Sequence, residues 1–219
     1  MVVRTMLSLF FAPATAIHVL MLLITLRLRA GAAEWIVRIM VLGLIWDNTI
    51  LAISPIAFEE SWYRGASWLR YFVHVVFLPP LAFAALVVAR RAGVEWAATN
   101  TATWSSLLFV VIAVSFGLVT EVVDLALVRE TLFGHDRYVS ADASPPLATI
   151  AVNLVVLFLS AVIWRRAAWP WLLAAAVFIL LVNGLSVGND WSILAGNLAE
   201  IVFLAGWVAT LFHFRVRSD

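Results

Sequence analysis

Seven apolar stretches, each about as long as a bilayer crossing, constrain this chain more than any other feature. They fall at roughly 5–26, 35–57, 69–89, 102–127, 147–164, 169–187 and 191–213. A bilayer's hydrocarbon core is about 30 Å thick and is crossed by about 20 helical residues. Backbone groups at that depth must bond within their own segment, which dictates helices. Of 219 residues, 64% are hydrophobic and 12% charged, whereas about a quarter of a soluble domain is charged. The mean hydropathy is +1.04. The expected fold class is therefore all-α: a polytopic membrane protein with one seven-helix transmembrane bundle over residues 1–219. Segments five and six are joined by "WRRAAWP", where Arg165, Arg166 and Pro170 predict a tight turn rather than one long helix. The longest polar connection, 129–146, reads as a loop. There is no convincing internal repeat, which counts against an inverted-repeat transporter.

Composition removes several chemistries. All 14 basic residues are Arg, so no lysine can form a retinal Schiff base. There is no Cys, which excludes disulfides, thiolate metal sites and thiol redox chemistry. No basic run exceeds two residues, so neither nucleic acid nor a polybasic lipid switch is expected. The zinc spacing H-E-x-x-H and the magnesium spacing D-D-x-x-D are absent, so neither metal nor cofactor is expected. Arg27, Arg29, Arg38, Arg90, Arg91, Arg165, Arg166, Arg215 and Arg217 lie at one end of the bundle. Arg4, Arg64, Arg70, Arg129 and Arg137 lie at the other. Nine against five places the N-terminus outside and the C-terminus in the cytoplasm; the expected location is a bacterial plasma membrane.

The costly groups are distributed unevenly. His18 lies mid-way along helix one. Helix two carries Trp46, Asp47 and Asn48 in "LIWDNTILAISP", and helix three carries Arg70 and His74 at i, i+4. Helix four has Gly117, Glu121 and Asp124 on one face. Asn153, Asn183, Asn197 and Glu200 sit in the outer halves of the last three helices, with Trp207 two turns below Glu200. Ionisable groups in a membrane normally face the bundle interior or a wet cavity. A polar pocket in the outer half follows, walled by Asp47, His74, Glu121, Asp124, Asn153, Asn183, Asn197 and Glu200. Competing readings are structural. Arg70 can snorkel to the interface. Asp124 can pair with Arg129 or Arg70, and the three asparagines can bond between helices. Asp47 and Glu200 resist such explanations, because neither has a basic residue within one turn of its own helix.

Buried carboxyls hold their protons more tightly, and aromatic faces stabilise cations without trapping them. Trp46, Phe77, Phe116 and Trp207 lie deeper than the aromatic belts. A proton donor, aromatic walls and access from lipid are what cyclising a polyene or its epoxide requires. The stretch "RYFVHVVFLPP" resembles the third helix of microbial rhodopsins, with Arg70 nine residues before Pro79 and Val73 where those proteins carry Asp. More broadly, the chain resembles the integral-membrane terpene cyclases of fungal meroterpenoid and indole-diterpene pathways and their actinobacterial counterparts. Those are seven-helix chains of similar size, with an acid directly after Trp in helix two and a second acid in the last helix. Trp46–Asp47 and Glu200 in "NLAEIVFLAGW" match, with Asp and Glu exchanged relative to the fungal members.

The resemblance implies proton-initiated cyclisation of a prenylated, lipid-soluble substrate. Asp47 is the expected donor, and Glu200 the second acid or terminating base. Glu121 and His74 are expected to tune the donor or shuttle its proton. Trp46 and Trp207 line the cation path. Asn48, Phe77, Phe116, Asp124, Asn153, Asn183 and Asn197 complete the expected substrate contacts. Partners are the small-molecule substrate and membrane lipids. The alternative is a small-solute or proton-coupled transporter, with Asp47, Glu121, Asp124 and Glu200 as a carboxylate relay. A scaffold without chemistry is the third reading, disfavoured by the number of buried acids.

Overall fold

A computed structural model describes residues 6–142 and 144–215. It contains eight α-helices: α1 (Met6–Thr25), α2 (Ala32–Ala57), α3 (Tyr63–Phe77), α4 (Pro80–Arg91), α5 (Asn100–Glu121), α6 (Leu147–Ala167), α7 (Trp171–Ser186) and α8 (Ser192–His213). Between α5 and α6 stands a hairpin of β1 (Leu127–Leu132) and β2 (His135–Ser140). Five units are long and apolar enough to cross a membrane: α2, the α3–α4 pair taken as Tyr63–Arg91, α5, α6 and α8. Leu9–Thr25 and α7 are shorter apolar helices. The protein is thus helical and compatible with integral membrane insertion.

Three departures from the sequence reading matter. The expected helix 69–89 begins at Tyr63 and breaks after Phe77. Pro79 and Pro80 have no N–H to donate to the preceding turn, so the bond from Leu78 N to His74 O at 3.1 Å is the last of α3. Pro80 then opens α4, where its missing N–H is no loss. The expected helix 102–127 stops at Glu121. The apolar run beyond it turns and becomes β1. The expected loop 129–146 is largely the hairpin, closed by Phe133 and Gly134 with φ of 48° and 73°. Two consecutive positive φ values are the signature of a type I′ turn, whose twist matches that of the strands. By contrast the α6–α7 turn forms as expected, with Ala168 left-handed at φ 52° and Pro170 preceding α7.

Each helix packs on its neighbour in sequence and α8 returns to α1, closing a ring; α2 also touches α8, and α4 also touches α6 and α2. The break at Pro79–Pro80 accounts for this. Above it, α3 packs on α2 and α5; below it, α4 leans inward between α2, α5 and α6. Small residues allow close approach. A Cβ on Gly43 would lie 2.8 Å from Val73, one on Gly117 would lie 2.9 Å from Val75, and one on Gly206 would lie 2.6 Å from the Ala175 Cβ. The α4 end is pinned by arginines. Arg91 binds the 1%-exposed carboxylate of Glu34 through two bonds of 2.5 and 2.9 Å. Arg38 reaches Thr25 O at 2.6 Å and Leu28 O at 2.8 Å, satisfying carbonyls at the end of α1. Several arginines in the orientation tally therefore also hold the fold together.

Candidate functional site

The glycine contacts set the geometry of the site. Gly43 lets α2 lie against Val73 and Phe77 of α3. One turn on, Asp47 meets Arg70, and Arg70 Nε donates to Asp47 Oδ1 at 2.7 Å. The Asp47 side chain is 22% exposed and that of Arg70 12%. Gly117 seats α5 on Val75 of α3, and Glu121, one turn on, turns toward the same space. On α8, Ile193, Asn197 and Glu200 follow at i, i+4 and i+7, a single helical face.

These residues border one open cavity of about 260 Å³, lined by Asp47, Arg70, Tyr71, His74, Glu121, Arg137, Ile193, Asn197 and Glu200. All four expected catalytic residues, Asp47, His74, Glu121 and Glu200, line it, as does Asn197. The remaining expected contacts do not. Trp46 packs on Ile50, Phe58 and Tyr63. Asn48 is fully buried and donates to Leu44 O at 3.0 Å. Phe77 packs on the main core. Phe116 is 43% exposed on the outer face of α5. Asp124 is exposed in the turn after α5, where the helical register that put it on Glu121's face has ended. The arginines offered as its partners are engaged elsewhere, Arg70 with Asp47 and Arg129 with Glu59 and Asp136. Asn153 is buried beside the core residues Val152 and Val156 of α6. Asn183 is exposed on α7, its Oδ1 close to Gly196. Trp207 is fully buried in the core, edge-on to Phe203 at 6.3 Å.

Sequence reasoning missed the cavity's cations. Arg70 is 23 positions from Asp47, so no local spacing announces the pair. Arg137 arrives from a strand that hydropathy does not reveal. The pair also changes how Asp47 reads, because a carboxylate bonded to a guanidinium is an acceptor. Glu121 and Glu200 form no ion pair among the described residues. No hydrogen bond holds Glu200, and Glu121 Oε1 is buried without a partner. No cluster of three His, Asp or Glu with metal-binding geometry occurs among the described residues.

The sequence spells G-x-S-x-G at Gly184–Gly188. A nucleophile elbow needs a strand before its serine. Here Ser186 ends α7, is 3% exposed and donates to Asn183 O at 3.3 Å, so the likeness stops at spelling. No protein-family model matches the chain, and comparison with curated proteins and solved structures found no match.

Proposed function

We propose that the protein is a seven-span membrane enzyme, in a bacterial plasma membrane, that starts a cation cascade by protonating a lipid-soluble isoprenoid. On this reading it is a terpene cyclase of the proton-initiated kind. One observation carries the proposal: two carboxyls with no ion-pair partner among the described residues, Glu121 and Glu200, share a single cavity with the Asp47–Arg70 ion pair. An acid must hold a proton before it can give one, so Glu200 takes the donor role and Asp47 that of acceptor. The Glu200 O–H bond breaks as its proton passes to a terminal alkene carbon or epoxide oxygen. Electrons of the next double bond then form the ring. The last cation loses a proton to Asp47, and His74 and Glu121 return it to Glu200. Nothing is gained or lost overall, so the product is an isomer of the substrate. At about 260 Å³ the cavity is smaller than typical drug-sized sites. It admits the reacting end, and the rest of the chain lies in lipid.

The transporter reading fares less well. A solute would have to pass α4, where Leu81, Ala82, Ala84, Ala85, Val88 and Ala89 are fully buried in the opposite half. The test is to incubate membranes containing the wild type or Glu200→Gln with farnesyl and geranylgeranyl compounds, with and without a terminal epoxide. An isomer of unchanged mass and shifted retention, made by the wild type alone, supports the reading. The variant should lose about 10²–10⁴-fold in rate. Equal turnover by both proteins removes Glu200 from the donor role.

A further inference from the structure

The cavity is not uniform from end to end. The acids come from spanning helices, but its hairpin end is lined by Arg137 of β2 and Tyr71 of α3. Arg137 is bonded to Glu130, directly opposite on β1, with Nε to Oε2 at 2.6 Å. The two partners differ in setting: the Arg137 side chain is 15% exposed and that of Glu130 is 42% exposed. An ion pair with one half-exposed member is held weakly, since water competes for the carboxylate. Glu130 can turn to solvent, whereas Arg137 stays at the cavity. Tyr71 adds a second donor. Its hydroxyl oxygen accepts the Ser140 N–H at 3.0 Å, which leaves the O–H proton uncommitted among the described residues.

The hairpin that carries Arg137 is fixed to the bundle. The Ser54 hydroxyl donates to Asp136 O, Arg64 reaches Leu127 O at 3.4 Å, and Tyr138 stacks on Phe58 at 4.8 Å. His135 is buried against Phe11 at 5.9 Å. Arg137 is therefore presented in a set position and is pre-organised for a ligand.

We infer that the hairpin end of the cavity binds an anionic, oxygen-rich head group through Arg137 and Tyr71. Taking the proton-donor reading above as the chemistry, this orients the substrate. The head group lies beneath the hairpin, and the hydrocarbon runs toward Glu200 and out to lipid. An anion would be repelled deeper in the cavity, where Asp47 from the middle of α2 and Glu200, two turns into α8, face it, so the reverse orientation is disfavoured. The preferred substrate is then an isoprenoid acid or phosphate rather than a neutral hydrocarbon.

The probe is a matched pair, geranylgeranoic acid and its methyl ester, titrated against the purified full chain in nanodiscs at neutral pH by native mass spectrometry. The wild type should bind the acid about tenfold tighter, the lower end for a charge-assisted hydrogen bond. Arg137→Gln should bring the acid-to-ester ratio to about one. Glu130→Gln, which frees the same guanidinium, should raise the ratio above wild type. A structural role for the pair would move both variants in the same direction, so the opposite signs are diagnostic. Equal binding of acid and ester by the wild type, an unchanged ratio in Arg137→Gln, or no binding of either probe overturns the inference. Product is scored in the same samples. Absence of any isomer counts against the cyclase reading alone, because the head-group preference is read from binding.

Discussion

In α4, seven of twelve residues are buried, whereas in α3 only Tyr63, Ser67 and Val75 of fifteen are. The two helices are consecutive, separated by the Pro79–Pro80 break, yet they build opposite environments. Around α4, Val37, Val41, Leu81, Ala85, Val152, Val156, Leu204 and Trp207 form one dry core. Beside α3, the ion pair of Asp47 and Arg70 and the carboxyls of Glu121 and Glu200 line an open cavity. Alanines let α4 pack centrally without voids. The bulkier, more polar α3 stays at the rim and leaves space beside it. The difference shows how one kinked traverse can supply both the stability of a bundle and the room for chemistry.

Replacing Trp207 by Ala should do most damage to the packed half. Removing a fully buried indole leaves a cavity and costs about 3–5 kcal/mol, readable as a lowered unfolding midpoint in detergent. A loss under about 1 kcal/mol would mean that this half is looser than described. The two ion pairs sharpen the contrast. Glu34→Gln should cost about 3 kcal/mol, because it breaks a two-bond pair between a 1%-exposed carboxylate and Arg91. Asp47→Asn, facing the cavity, should cost about 1.5 kcal/mol, since its 22%-exposed carboxylate makes one charge-assisted bond where Glu34 makes two. Equal costs in unfolding titrations would erase the distinction between the halves.

Smaller still is the stability effect expected of Asn197→Leu. Asn197 Nδ2 already bonds Ile193 O at 2.8 Å, while its Oδ1 is buried without a partner. Removing that unmatched acceptor should shift stability by less than about 1 kcal/mol in either direction. Turnover should fall, because the cavity loses a polar wall. The smallest effect concerns the hairpin. Burial, reinforced by the nearby Arg137, holds the His135 imidazole below its ordinary value of 6.5. The unfolded chain takes up this proton as pH falls through 6.5 and the folded chain resists it. Stability carried by the hairpin is therefore lost below pH 6.5. Hydrogen exchange of residues 127–140 should quicken between neutral pH and about pH 5, and His135→Phe should flatten that response.

The bundle could be read from sequence because hydropathy is a one-dimensional property that the bilayer enforces segment by segment. The α6–α7 turn was equally legible, since Arg165, Arg166 and Pro170 are adjacent. The four acid–base candidates could be found because a carboxyl or imidazole at such depth stands out against Leu and Val. Their partners could not. Arg70 reaches Asp47 only because Gly43 lets two helices approach. Arg137 enters through a hairpin whose turn, Phe133–Gly134, lacks the Asn-Gly or Asp-Gly signal that marks such turns. Depth alone also misplaced aromatic groups. Trp46 and Trp207 lie at the expected level but on faces that pack inward, and Phe116 faces outward.

The central claim is that Glu200 delivers, inside the cavity, the proton that starts cyclisation. It is tested most directly by turnover in deuterated water with a geranylgeranyl substrate lacking an epoxide. Wild-type protein should yield an isomer carrying one deuterium on carbon, and Glu200→Gln should yield none. An isomer without deuterium, or labelled product from both proteins alike, would contradict the account.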